Sequence, residues 1–155
     1  MSPDVKDLID ACKTVRLAAQ QIFEENKLPY FPPFPHGWCG CVSRVLGAWL
    51  KYNFPDDEFY YVCGYHNGSH AWIEHNRIIM DITADQFDEC SEPVIVKPSR
   101  DSVFHRKYMI DTKHLCSIND VNYFEERTIF NRVKEIATCG KIIDFEFGLV
   151  ENLDL

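Results

Sequence analysis

Three residues of this chain have the types that activated-thiol chemistry needs: Cys39, His70 and Asp81. Cys39 stands in Pro35-His-Gly-Trp-Cys-Gly-Cys-Val-Ser43, where a helical apolar pattern begins. At a helix N-terminus the unpaired N–H groups and the dipole favour an anion, so a thiolate is stabilised there. The same N–H groups suit the oxyanion of a tetrahedral intermediate. At roughly 100° per residue, Cys39 lies about 50° from the centre of the apolar stripe and Cys41 about 110°. Cys39 is thus expected to face the domain, and Cys41 a more exposed side with Arg44 and Lys51. A lone cysteine is ordinarily a small packing residue. The histidine and the acid change that reading.

Those two lie in Ser69 to Thr83, which reads as a hairpin. With His75-Asn76 as a two-residue turn, Glu74 pairs with Arg77, Trp72 with Ile79, and His70 falls directly opposite Asp81. Opposed Cβ atoms are about 5 Å apart, close enough for a carboxylate to hold an imidazole N–H. A nucleophile, a base and an orienter for that base make a generalised triad. His70 would draw the proton from Cys39, and Asp81 would fix its tautomer. Asp85 is the second candidate for the orienter. His66 is expected to be exposed beside the Asn67-Gly68 turn, and His36, His75, His105 and His114 read as surface residues. A zinc site drawn from Cys39, Cys41, Cys63, His66 and His70 is disfavoured, because Cys-x-Cys on a helix points its thiols about 160° apart. No metal and no cofactor are expected.

The elements that must position these residues follow from periodicity. Ser2-Pro3-Asp4 opens a helix whose apolar positions run from Val5 to Phe23 and which ends near Asn26-Lys27. Leu28 to Pro35 is an extended, aromatic and Pro-rich segment. Val42, Val45, Leu46, Trp49 and Leu50 define a second helix from about Trp38 to Tyr52. Strands are expected over Glu58 to Cys63, Ser69 to Glu74, Arg77 to Thr83 and near Val94-Ile95-Val96, with no clear pattern elsewhere between Ala84 and His114. A last helix follows Asn119-Asp120 and stops at Gly140, and Ile142 to Val150 adds a short strand or docking tail. Trp49 and Trp72 belong to the core. Helices first and then an antiparallel meander give the α+β class.

Composition agrees with one domain over all 155 residues, 46% of them hydrophobic and 26% charged. A net charge of −8 argues against a nucleic-acid partner. No apolar run reaches the span of a membrane helix, so no membrane partner is expected. Seven cysteines without framework spacing, and acids near Met1 in place of a basic leader, suggest reduced thiols in a cytoplasmic setting.

Ser69-His-Ala-Trp-Ile-Glu74, followed by Ile78-Ile-Met-Asp-Ile-Thr-Ala-Asp-Gln-Phe87, resembles the His and Asp segments of the papain-like superfamily. In residue order it is most similar to the transglutaminase-like and arylamine N-acetyltransferase-like branches. It also looks like small bacterial proteins that carry a Pro-x-Gly-x-Cys-Gly-x-x-Ser helix start and these two strands. The resemblance implies a helix bearing Cys39 packed on a small antiparallel sheet, with flanking terminal helices. It implies Cys39, His70 and Asp81 as the triad of a thiol hydrolase acting on a peptide, isopeptide or glutamine side-chain amide. An acyltransferase with the same triad and a non-enzymatic binding module on the same fold are the alternatives. Papain-type proteases carry a Gln shortly before the nucleophile, where this chain has Phe31-Pro-Pro-Phe-Pro35. The second oxyanion donor is therefore sought in Trp38 and Gln86.

Overall fold

The computed structural model describes residues 1–26 and 33–139. The expected stop at Gly140, the tail at 142–150 and most of the aromatic segment before Pro33 lie outside them.

The first helix, α1 (Val5–Glu25), starts two residues later than a Ser2 cap with Pro3 as first helical residue would place it. Asp4 is the N-cap, accepting from Asp7 N–H at 2.8 Å, while the Asp7 carboxylate accepts from Asp4 N–H at 3.0 Å. Such a reciprocal cap contributes about 1 kcal/mol. Ser2 bonds Asp57 instead. α2 (Cys39–Asn53) buries Val42, Val45, Leu46, Trp49 and Leu50, the predicted stripe. α1, α2 and α4 (Phe124–Cys139) pack on one another, and α2 also lies along the sheet. Leu8, Val15, Ala19, Leu46, Ile73, Met80 and Ile129 join in the core between them.

The sheet is antiparallel, in the order β4 (Ile95–Pro98), β3 (Ile78–Asp81), β2 (Ser69–His75), β1 (Tyr60–Tyr65), β5 (Met109–Leu115). This is the α+β class. β5 falls in the region without a sequence pattern. Among the described residues it is an edge strand exposed along its whole length, so it has no apolar face to leave a period-2 signature. Asp111 has no opposite number on β1, because Cys63 pairs with Thr112 and Gly64 with Ile110. A short helix, α3 (Val103–Arg106), precedes it, capped by the Ser102 side chain.

The β2–β3 register differs from the expected one by two residues. The turn is Asn76-Arg77, at φ 48° and 62°, the paired left-handed geometry of a type I′ hairpin. Glu74 therefore pairs with Ile79 and Ile73 with Met80. Ile78, β-branched and half-buried, belongs to the strand, and Asn76 takes the positive φ more readily than His75 does. Glu74 consequently accepts from Trp72 Nε1 and lies near Lys113 rather than Arg77. A two-residue shift keeps each side chain on its original face. His70 and Asp81 become diagonal neighbours and stay within reach of each other.

Candidate active site

β2 opens with Ser69 and His70, and β3 closes with Asp81, so the His and the acid meet where the hairpin strands part. Both side chains are fully buried. His70 Nε2 lies 2.6 Å from Asp81 Oδ2, and the other carboxylate oxygen accepts from Thr83 N–H at 3.0 Å. The His70 ring sits among Trp72, Phe87, Phe104 and Tyr108, with centroids 5.0 to 5.9 Å away. With Nε2 engaged by Asp81, Nδ1 is the nitrogen left for a thiol, and Cys39 is the thiol whose ionisation His70 favours.

Cys39 is half-buried and is the first residue of α2. The N-cap, Trp38, has no side-chain capping bond, and first-turn N–H groups have no intrahelical acceptor. One turn on, Ser43 donates to the Ala71 carbonyl at 3.2 Å and locks α2 onto β2. The Ala71 backbone also favours the Cys39 thiolate.

The charges separate Cys39 from the other cysteines. Burial would raise its thiol, but hydrogen bonding to His70, the imidazolium charge and the Ala71 bond outweigh it and bring the pKa below the usual value. Burial would lower His70, yet the Asp81 carboxylate and the Cys39 sulfur prevail and carry it to about 9. Asp81 is held well below the ordinary carboxylate range, its burial overcome by His70 and His105. Cys41 and Cys116 are pushed up to about 12, in both cases chiefly by burial. Cys41 is half-buried, as Cys39 is, so the expected division into an inward and a more exposed cysteine does not hold. α4 covers Cys41, with Glu126 buried beside it, accepting from Arg44 and from the N–H groups of Asn122 and Tyr123.

Gln86 reaches the same place from the 3-10 turn Ala84–Gln86. Its Oε1 accepts from Gly37 N–H at 3.2 Å, and its Nε2 donates to the Thr83 carbonyl and lies 3.5 Å from His70 Nδ1. The amide thus bridges the approach to α2 and the reactive nitrogen. Trp38 packs on Phe23, centroids 4.3 Å apart, with Phe34 on the same ring. Phe34 therefore lies against α1.

Asp85 is not the orienter. It forms a two-point pair with Arg16 at 2.7 and 2.8 Å, and Arg16 Nη1 also donates to the Ile82 carbonyl at 2.8 Å. The turn places Asp85 toward α1, away from His70, and clamps the segment that carries Thr83 and Gln86.

Three histidines depart from expectation, the first being His66, which is half-buried with its ring edge-on to Tyr108 at 5.6 Å. His75 is buried, with Nδ1 2.8 Å from the Glu58 carbonyl and the ring stacked on Phe59. His105 is 3% exposed, and its Nε2 lies 2.7 Å from Asp81 Oδ2, the oxygen that His70 uses. Ser102 Oγ sits against His105 Nδ1. The only local signal was Ser102-x-x-His105, a cap and the third residue of a single helical turn. Nothing in that spacing tells which strand the turn docks on.

Among the described residues, the one cluster of three ligating side chains is His70, Asp81 and His105. Ligand atoms on a tetrahedral ion with bonds of about 2.0–2.1 Å stand about 3.3 Å apart. The Nε2–Oδ2 separations of 2.6 and 2.7 Å are instead those of hydrogen bonds. The cysteines of the expected zinc rival do not enter this cluster.

Among the described residues no helix is long and apolar enough to cross a membrane. Compared with protein-family models, curated proteins and solved structures, the chain matches none of them.

Proposed function

We propose that this chain is a thiol hydrolase that cleaves an amide bond through a Cys39 thioester. The observation that carries this reading is the bond from buried His70 Nε2 to Asp81, which leaves Nδ1 for a cysteine at the N-terminus of α2. Cys39 gives its proton to His70 Nδ1, and the thiolate adds to the amide carbonyl carbon. On this reading the Cys39 N–H and the Gln86 amide donate to the resulting oxyanion. Collapse breaks the C–N bond, and His70 Nδ1–H protonates the departing amine. His70 then takes a proton from water, hydroxide adds to the thioester, and the Cys39 thiolate leaves with an acid product. Asp81 stays ionised throughout and compensates the imidazolium.

The substrate on this reading is a peptide, isopeptide or glutamine side-chain amide. The fold is read as a papain- and transglutaminase-like core, with α2 as the nucleophile helix. A reducing, cytoplasmic setting fits seven free cysteines, because an oxidised Cys39 would be inert.

The test is labelling with limiting iodoacetamide from about pH 5 to about pH 9, with the site located by peptide mass spectrometry. Selective labelling of Cys39 with a depressed midpoint, lost in His70→Ala, is the expected result. Labelling spread over other exposed thiols, with Cys39 silent, overturns the reading.

A further inference from the structure

Asp81 is asked to do more than hold His70. Its Oδ2 receives two imidazole Nε2 groups, from His70 on β2 at 2.6 Å and from His105 on α3 at 2.7 Å, while Oδ1 takes Thr83 N–H. All of these groups are buried. A carboxylate so far from water, with Thr83 N–H and one imidazolium as its only partners, is relieved of its charge by taking that imidazolium's Nε2 proton. The imidazole would then carry its remaining proton on Nδ1, the atom that must accept from the thiol. We propose that His105 is a positioning residue for the Cys39–His70 pair, keeping Asp81 ionised and thereby keeping the neutral His70 in its Nε2–H tautomer. This rests on the reading of Cys39 as the nucleophile.

The geometry sets His105 up for that task. Its Nδ1 faces the Ser102 hydroxyl, which also accepts from His105 N–H at 3.3 Å. A hydroxyl proton on Nδ1 leaves the ring proton on Nε2, pointed at Asp81. Transfer of the His70 proton to Asp81 would leave His105 and Thr83 donating to a neutral acid, a much poorer acceptor than a carboxylate. Two charge-assisted bonds therefore oppose the wrong tautomer. A mere packing role for His105 would need neither the shared oxygen nor the Ser102 contact.

The other groups that feel the Asp81 charge are Cys12 from α1, Cys39 from α2, Cys90 in the loop after β3, and Tyr108 after α3. Burial raises Cys12, Cys90 and Tyr108, so they stay neutral near pH 7. The shifted groups left to exchange a proton there are His70 and Cys39.

The experiment is nitrogen-15 NMR of the histidine rings in the full chain, wild type, His105→Phe and His105→Gln. In the wild type, His105 and neutral His70 are expected as Nε2–H tautomers. In His105→Phe, neutral His70 shows Nδ1–H, its midpoint moves by at least threefold in proton affinity, roughly half a pH unit, and Cys39 alkylation at neutral pH falls about tenfold. The amide of His105→Gln restores a donor to Asp81 and returns both readings toward wild type. A wild-type His105 carrying its proton on Nδ1 overturns the proposal even if the Phe variant does not fold. So does a folded Phe variant with an unmoved His70 midpoint. The ring spectra report whether or not Cys39 reacts, so failure here is separate from failure of the hydrolase reading.

Discussion

Replacing Asp81 with Asn keeps the shape of the buried side chain and removes its charge. His70 stands at about 9 against an ordinary 6.5. At about 1.4 kcal/mol per pH unit, the stabilisation of its imidazolium is about 3 kcal/mol, most of it owed to Asp81. Without the carboxylate, only the Cys39 sulfur opposes burial, and His70 falls from about 9 toward its ordinary value. The thiolate of Cys39 loses its counter-ion at the same stroke, and burial pushes that thiol up. An Asn amide also donates to Nε2 and forces the proton onto Nδ1, the tautomer that cannot accept from a thiol. Three kcal/mol corresponds to on the order of 100-fold, and the alkylation rate of Cys39 at pH 7 should fall by about that factor. The assay is the pH dependence of iodoacetamide labelling, with circular dichroism to confirm the fold. A folded Asp81→Asn protein that reacts within about threefold of wild type would refute the electrostatic reasoning.

Gln86→Ala is expected to slow acylation by an activated ester about 100-fold, as for loss of an oxyanion donor, while changing iodoacetamide labelling little. Equal loss in both assays would assign Gln86 to positioning His70. Asp85→Asn should leave the labelling profile of Cys39 in place, whereas Arg16→Met, which strands Asp85 and the Ile82 carbonyl, should cost about 3 kcal/mol in urea unfolding. Asp81 has a folded pKa below its ordinary 3.8, so it contributes stability above that value and loses it as pH falls further. Urea midpoints at pH 7 and pH 3 should therefore differ more in wild type than in Asp81→Asn. Gly47→Ala places a Cβ 2.5 Å from Cys116 Sγ and 3.3 Å from Ile73 Cδ1, and should cost about 1–3 kcal/mol by thermal melting.

Much of this site could be read from residue order because period-2 geometry forgives even errors. The turn was placed one residue early, which moves the pairing by two, and His70 and Asp81 still meet. A slip of one would have separated them. The helix bearing Cys39 was legible from five apolar positions that had to be buried together. What was not legible depends on docking rather than pattern. Cys41 is covered because α4 arrives from about 80 residues away, and its own spacing could not show that. His105 sits on one helical turn, too short for a periodicity, and Asp81 gives no local hint of a third donor. Asp85 was a reasonable orienter by distance in sequence, but the turn that ends β3 sends it to Arg16.

The irregularity of β5 has a consequence for how copies of this molecule behave in concentrated solution. A seven-residue border strand with Met109, Ile110 and Leu115 exposed offers a template on which another chain could extend the sheet. The unpaired Asp111 interrupts the regular spacing of its outward N–H and C=O groups, and with Lys113 it sets charge on the rim. Removing that one residue would straighten the border into an unbroken adhesive edge. Precipitation, rather than loss of chemistry, would be the first symptom.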